Sequence, residues 1–211
     1  MQHDHDDPKR YHGDFDEKAL TWDDDPAKVE RASIVAAQIV EAVAPNATTR
    51  LLEYGAGTGL VAQALAPHVG PITLADPSQG MREAMARKVA AGTLPHGSRI
   101  WSTRLGEEPT PDERFDLVVS VQVLHHVESL QPLLAAFAEV TEAGGHLCIC
   151  DLESEDGSFH GEGFGGHHGF DRDSLGAQIT AAGFADVGFR HAYDLHKEGH
   201  DYPLFLAVAT R

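Results

Sequence analysis

Apolar residues fall along this chain in two rhythms, short unbroken runs and stripes at helical spacing, and the way these alternate predicts an architecture. The runs Leu51-Leu52-Glu53-Tyr54, Pro71-Ile72-Thr73-Leu74-Ala75, Arg99-Ile100-Trp101, Phe115 to Val121, His146 to Asp151, Phe184 to His191 and Leu204 to Ala209 read as strands. Phe115-Asp116-Leu117-Val118-Val119-Ser120-Val121 is nearly continuous, as expected of a strand covered on both faces of a parallel sheet. Between the runs, Val29, Ala32, Ala36, Ile39, Val40 and Val43 recur at helical spacing, as do Met81, Met85 and Val89, and then Leu133 to Val140. Asp25-Pro26 supplies a cap and a first-turn proline for the first helix, and Ala44-Pro45 ends it. Asp171 opens a last helix, which Gly183 closes. Alternation of this kind predicts an α/β domain with a mostly parallel sheet and helices on both sides. The last two strands lack a helix between them and must pair antiparallel, across a long connection from Tyr193 to Tyr202.

The first strand runs into Glu53-Tyr54-Gly55-Ala56-Gly57-Thr58-Gly59, a strand-to-helix turn dense in glycine. Gly55, Gly57 and Gly59 suit backbone that bends tightly and lets a ligand come close. A dinucleotide fingerprint places its third glycine three residues after the second, whereas Gly59 comes two after Gly57. Asp76 ends the second strand, where nucleoside-binding α/β folds bind ribose hydroxyls; in Asp76-Pro77-Ser78 it also stands where a helix cap would.

Glu53 with the three glycines, in the pattern E-x-G-x-G-x-G, resembles the first motif of the class I S-adenosylmethionine-dependent methyltransferases. Asp76-Pro77-Ser78-Gln79-Gly80-Met81 is similar to the D-x-S-x-x-M of that family, Phe115-Asp116-Leu117-Val118 to its fourth motif, and Val123-Leu124-His125-His126-Val127 to the continuation seen in ubiquinone-biosynthesis-type enzymes. The resemblance implies a Rossmann-like class I methyltransferase fold, a seven-stranded sheet with an antiparallel last strand, and S-adenosylmethionine as cofactor. It implies a cofactor site of Glu53, Gly55, Ala56, Gly57, Gly59, Asp76, Pro77, Met81, Leu105 and Val121. Glu53 and the glycines would hold the methionine portion, Asp76 the ribose, and Met81 with Leu105 the adenine. Arg104-Leu105 departs from the family's Asp-Ala, and a donor-only Arg cannot accept a hydrogen bond from the adenine amino group.

Composition narrows the function. At 211 residues the chain suits one domain, residues 26 to 211, preceded by an acidic arm over residues 1 to 25. Tyr11 to Trp22 of that arm resembles the partial lid of the ubiquinone-type relatives, which would exclude water from a reactive sulfonium. A net charge of −17 repels phosphate backbones and anionic membranes, so the expected acceptor is a small molecule and neither nucleic acid nor membrane is an expected partner. The acidic start and the lack of a long apolar stretch lead to the expectation of a cytoplasmic protein. Cys148 and Cys150, two apart on a strand, read as core residues too far apart for a comfortable disulfide. No sequence pattern specifies an oligomeric state.

Residues 152 to 169 form a His- and Gly-rich insertion after a strand C-terminus, the edge where open α/β sheets bind ligands, so it is expected to shape the acceptor pocket. Candidate acid–base residues are His125 or His126, and His160, His167 and His168 of the insertion. The last three, with nearby acids, are also the set that could hold a divalent metal, although their spacing matches no compact ligand motif. Two other classes stay open. An NAD(P)-dependent oxidoreductase shares the strand, turn and acid, and a non-catalytic metal- or ligand-binding module would account for the histidines.

Overall fold

The computed structural model describes residues 15–161 and 163–211. Seven strands, β1 (Leu51–Tyr54), β2 (Ile72–Ala75), β3 (Arg99–Trp101), β4 (Phe115–Val121), β5 (Thr141–Leu152), β6 (Ala185–Lys197) and β7 (His200–Thr210), form one sheet in the order β3-β2-β1-β4-β5-β7-β6. The first five are parallel, and β7 runs antiparallel between β5 and β6. The helices are α1 (Pro26–Val43), α2 (Leu60–Leu65), α3 (Gln79–Ala91), α4 (Leu130–Val140) and α5 (Arg172–Ala181). Among the described residues, no helix is long and apolar enough to cross a membrane.

The unbroken apolar runs follow from burial on both faces. Leu51, Leu117, Val119, Cys148 and Cys150 point to one side, into a core shared with α1, α2 and α3, and the neighbouring Leu52, Val118, Leu147 and Ile149 point to the other, against α4 and α5. Both cysteines are free and fully buried, and burial pushes their thiols up, so they pack as small hydrophobes. Helix α1 begins as expected, with the Ala27 N–H donating to Asp25 Oδ1 at 3.0 Å and Pro26 in the first turn, and ends at Ala44 in a left-handed conformation. Val29, expected on its inner stripe, is 39% exposed, and Val35 is buried instead.

Two connections differ from expectation. The fifth strand, expected to begin at His146, begins earlier. The strand starts at Thr141 and absorbs Gly144, at φ 78, as an irregularity in its pairing with β4. The long loop expected between the last two strands is instead a continuation of both. Pairing runs out to Lys197↔His200 around Glu198 (φ 53) and Gly199 (φ 82). Two successive left-handed residues make a primed two-residue turn, whose twist matches that of the strands it joins. The outer pairs carry Asp194, His196 and Asp201, which are exposed, so no apolar alternation announced them.

Glu198 occupies a left-handed position that Asn tolerates better. Glu198→Asn is therefore expected to stabilise the hairpin by about 0.5 kcal/mol, raising Tm by about 1–2 °C in a domain of this size. A lowered Tm in differential scanning calorimetry would refute the turn assignment.

Candidate active site

Strands β1 and β2 pair in parallel through Tyr54↔Ala75, so the turn after β1 and the acid after β2 emerge side by side. The Gly57 N–H donates to Asp76 Oδ2 at 2.8 Å, and the Ser78 N–H donates to Asp76 Oδ1 at 2.9 Å. Ser78, and not Asp76, caps α3 by accepting from the Met81 N–H at 3.2 Å. Asp76 is thereby left facing the glycine turn. Glu53 solves a different problem. Helix α2 starts at Gly59, which has no side chain to satisfy the first-turn N–H groups, and Glu53 Oε2 accepts from the Ala62 N–H at 2.8 Å instead.

The three glycines are needed for different reasons. A Cβ on Gly55 (φ +69) would lie 2.2 Å from Val123 Cγ2, because the chain leaving β4 crosses over the turn. At Gly57 (φ +55) the nearest such contact is Met81 Sδ at 4.0 Å, so this point of the turn is open to an approaching ligand. Gly59 (φ +80) takes the left-handed conformation that starts α2.

Both acids are buried, Glu53 at 3% exposure and Asp76 at 7%. Burial, with some repulsion from Asp76, pushes Glu53 up to about 8, against the Ala62 hydrogen bond and the charge of Lys88. Burial also pushes Asp76 up to about 6, opposed by the Ser78 and Gly57 N–H groups. A pocket built this way favours a ligand that brings a cation and hydroxyl donors. Met81 is buried beside the turn and Pro77 half-buried, Ala56 is buried within the turn, and Val121 ends β4 next door. Leu105, 2% exposed, belongs to the same core cluster as Ala75, against which Trp101 packs, and the Arg104 guanidinium lies 3.5 Å from Glu107.

Of the expected lid, Tyr11 to Asp14 lies outside the described residues. The rest crosses both strand ends. Asp16 Oδ1 accepts from Ser78 Oγ at 2.5 Å and from the Gly80 N–H at 2.8 Å. Asp23 accepts from Thr58 Oγ1 at 2.5 Å and pairs with Lys88 at 2.5 Å. Phe15 packs against Trp22 and His126, at ring distances of 6.1 and 5.8 Å.

After β4, Gln122 takes φ 56 and the chain makes a short turn over Leu124–His126. His125 is 2% exposed; its Nδ1–H donates to Asp151 Oδ1 at 2.5 Å, and its carbonyl accepts from the His167 N–H at 2.8 Å. Burial, and then the neighbouring His125, hold His126 down to about 2 and His160 to about 4. Both shifts favour the neutral form of the rings. The insertion's histidines part company. His160 joins His125 and His126 and stacks on Phe164 at 3.8 Å. His167 Nε2 lies 2.9 Å from the Val127 carbonyl, and His168 Nδ1 lies 3.2 Å from Glu155 Oε1. Sequence reasoning did not find the Asp151–His125 pair or the hold of Asp16 on α3. The signal available for the first was that β4 and β5 are neighbours ending in register at Val121↔Cys150.

A family model described as Methyltransferase domain matches residues 52–149. Over that stretch the chain is similar to methyltransferases. The chain is 33% identical over 113 residues to a demethylmenaquinone methyltransferase of Clavibacter sepedonicus, covering 54% of this chain and 45% of that one. A solved Haemonchus contortus phosphoethanolamine N-methyltransferase 2, in complex with S-adenosylmethionine, superposes with a TM-score of 0.68 at 14% identity, over 83% of this chain and 52% of that one. The [4+2]-cyclase SpnF superposes with a TM-score of 0.70 at 18% identity, over 85% and 80%. The chain spans about half the length of the curated relatives it matches. The buried acids and the open glycine turn have the chemistry to accept an ammonium and ribose hydroxyls.

A carboxyl with a raised folded pKa holds its proton more tightly folded than unfolded. The stability contributed by Glu53 is thus complete below pH 4.5 and lost as pH rises through about 8. Glu53→Gln keeps an acceptor for Ala62 without the buried charge, so ligand-free Tm at pH 9 is expected to exceed that of the parent. Affinity for S-adenosylhomocysteine is expected to fall by about 10-fold or more. A lower Tm at pH 9 with unchanged affinity would contradict both roles given to Glu53.

Proposed function

We propose that this chain transfers a methyl group from S-adenosylmethionine to a small organic acceptor. The observation that carries the proposal is the joining of the Gly57 N–H to the Asp76 carboxylate beside the second buried acid, Glu53. Together these offer acceptors for an ammonium and a ribose on either side of a turn a ligand can approach. When bound, the cofactor would supply an electrophilic methyl that the acceptor's nucleophile attacks in line, the carbon–sulfur bond breaking and S-adenosylhomocysteine leaving with its electron pair. The chain contributes placement. Glu53 and the turn backbone bind the aminoacyl end, Asp76 the ribose hydroxyls, and Met81 with Leu105 flank the adenine. Phe15 to Asp24 hold water away from the reacting atoms. Orientation of this kind lowers a barrier by roughly 7–11 kcal/mol, so a general base is required only if the acceptor must lose a proton.

A small acceptor is supported by the net charge of −17, which disfavours nucleic acid, and by the lid segment that narrows the strand edge. The Clavibacter relative is named for a small organic acceptor as well. The free, buried Cys148 and Cys150 are in keeping with a cytoplasmic setting, which belongs to the same proposal. SpnF shows that this fold also supports a reaction named as cyclisation, so methyl transfer needs a direct test.

Isothermal titration is expected to show one S-adenosylhomocysteine per chain and no saturable NADH binding. Asp76→Ala should weaken binding by about 10- to 100-fold, the worth of hydrogen bonds to a charged group, with an unchanged far-ultraviolet spectrum. Unchanged affinity would remove Asp76 from the ribose site. NADH binding in place of S-adenosylhomocysteine would overturn the function.

A further inference from the structure

One group of side chains is not used by the cofactor site. His125, His126 and His160 each present a ring nitrogen within 4.8 Å of the other two. The first two are fixed on the turn after β4, and the third comes from the loop after β5. We propose that these three histidines bind one divalent transition-metal ion of the zinc class, beside the cofactor pocket.

Asp151 prepares the first ligand. It is fully buried, its Oδ1 accepts from the Leu152 N–H at 2.8 Å, and the same oxygen takes the His125 Nδ1–H at 2.5 Å. That bond fixes the tautomer in which His125 Nε2 carries the lone pair. A carboxylate behind a ligating imidazole is the usual means of orienting it and raising its basicity. His160 Nδ1 is buried and has no hydrogen-bond partner among the described residues, a cost that a metal bond would relieve. Packing alone does not account for the group, since an apolar cluster would gain more from carbon than from three imidazoles around a buried acid.

The surroundings suit a cation with partly excluded water. Phe164 stacks on His160, Phe159 lies 6.5 Å from His125, and Phe15 lies 5.8 Å from His126. A tetrahedral ion with metal–nitrogen bonds of about 2.0–2.1 Å sets its ligand nitrogens roughly 3.4 Å apart, so the loop must close by about an ångström. Gly157 and Gly161, both with positive φ, bracket His160 and give the loop that freedom. Three imidazole nitrogens select zinc, cobalt, nickel or copper over magnesium and calcium, which want oxygen. Three protein ligands also leave a fourth position open, as in sites where the metal meets a substrate. Two shallow hollows beyond the loop, one along Glu153 and Arg172 and one between Ser129 and Gln178, gather no comparable set of donors among the described residues.

The test uses the full chain after chelator treatment, titrated with zinc chloride by calorimetry and with cobalt(II) by visible absorption. One zinc per chain and the intense d–d bands of tetrahedral cobalt are expected, with no saturable magnesium binding. His126→Ala and His160→Ala should each weaken zinc at least 100-fold. Asp151→Asn, acting only through His125, should weaken it about 10- to 100-fold. His196→Ala, at an exposed His–Asp pair, should change nothing. Circular dichroism establishes that each variant is folded. The proposal is overturned by absence of stoichiometric zinc, by affinity equal to the parent in both His126→Ala and His160→Ala, or by loss only in His196→Ala. S-adenosylhomocysteine binding measured on metal-free protein keeps failure of the cofactor site separate from failure of this one.

Discussion

The structure turns on two carboxyls buried at the ends of adjacent parallel strands. Among the described residues neither forms an ion pair, and each does backbone work. Glu53 starts a helix whose own cap position is glycine, and Asp76 ties the glycine turn to β2. Their burial is a standing electrostatic cost, seen in the raised pKa of both. A fold under selection for stability alone would have placed Ser or Asn at these positions. Retaining acids makes sense when a cationic ligand offsets the cost, which is the trade between stability and function expected of a binding site.

Much of this was legible in the sequence because it depends on local rules. The apolar runs gave the strands, since a sheet covered on both faces leaves no polar position to interrupt them. The glycine spacing separated this turn from a dinucleotide site, and strand-end placement put Asp76 beside it. The missed features all depend on contacts far apart in sequence or on residues that break a local rule. Gln122 takes a left-handed conformation usual for glycine, and with it the chain after β4 turns toward Asp151. Glu198 does the same at the β6–β7 turn. An exposed polar ladder hid the outer half of that hairpin, because alternation is visible only where one face is buried.

The histidines show the same limit from the other side. Their sequence grouping, His160 with His167 and His168, reflects one glycine-rich loop, whereas their spatial grouping follows the sheet. Two adjacent strands, β4 and β5, end in register, and whatever follows each must share the space above them. His167 is spent on holding the loop to the Val127 carbonyl and His168 on Glu155, so of the three it is His160 that reaches the β4 turn. Residue type nominated the candidates, and strand order chose among them.

The segment over residues 15–24 extends this logic through charge. Asp16 and Asp23 bring two more acids over a pocket that already holds two, and Asp16 itself adds to the upward push on Asp76. Their hydrogen bonds to Ser78, Gly80 and Thr58 hold the segment closed against that repulsion. On the proposed reaction, the reactant carries a sulfonium charge that the product lacks, so the closed acidic pocket is better compensated before transfer than after. Methyl transfer would then weaken the hold of the pocket on its own product. On that proposal, the field that recruits the cofactor would also favour release, with no moving part beyond the change of charge at sulfur.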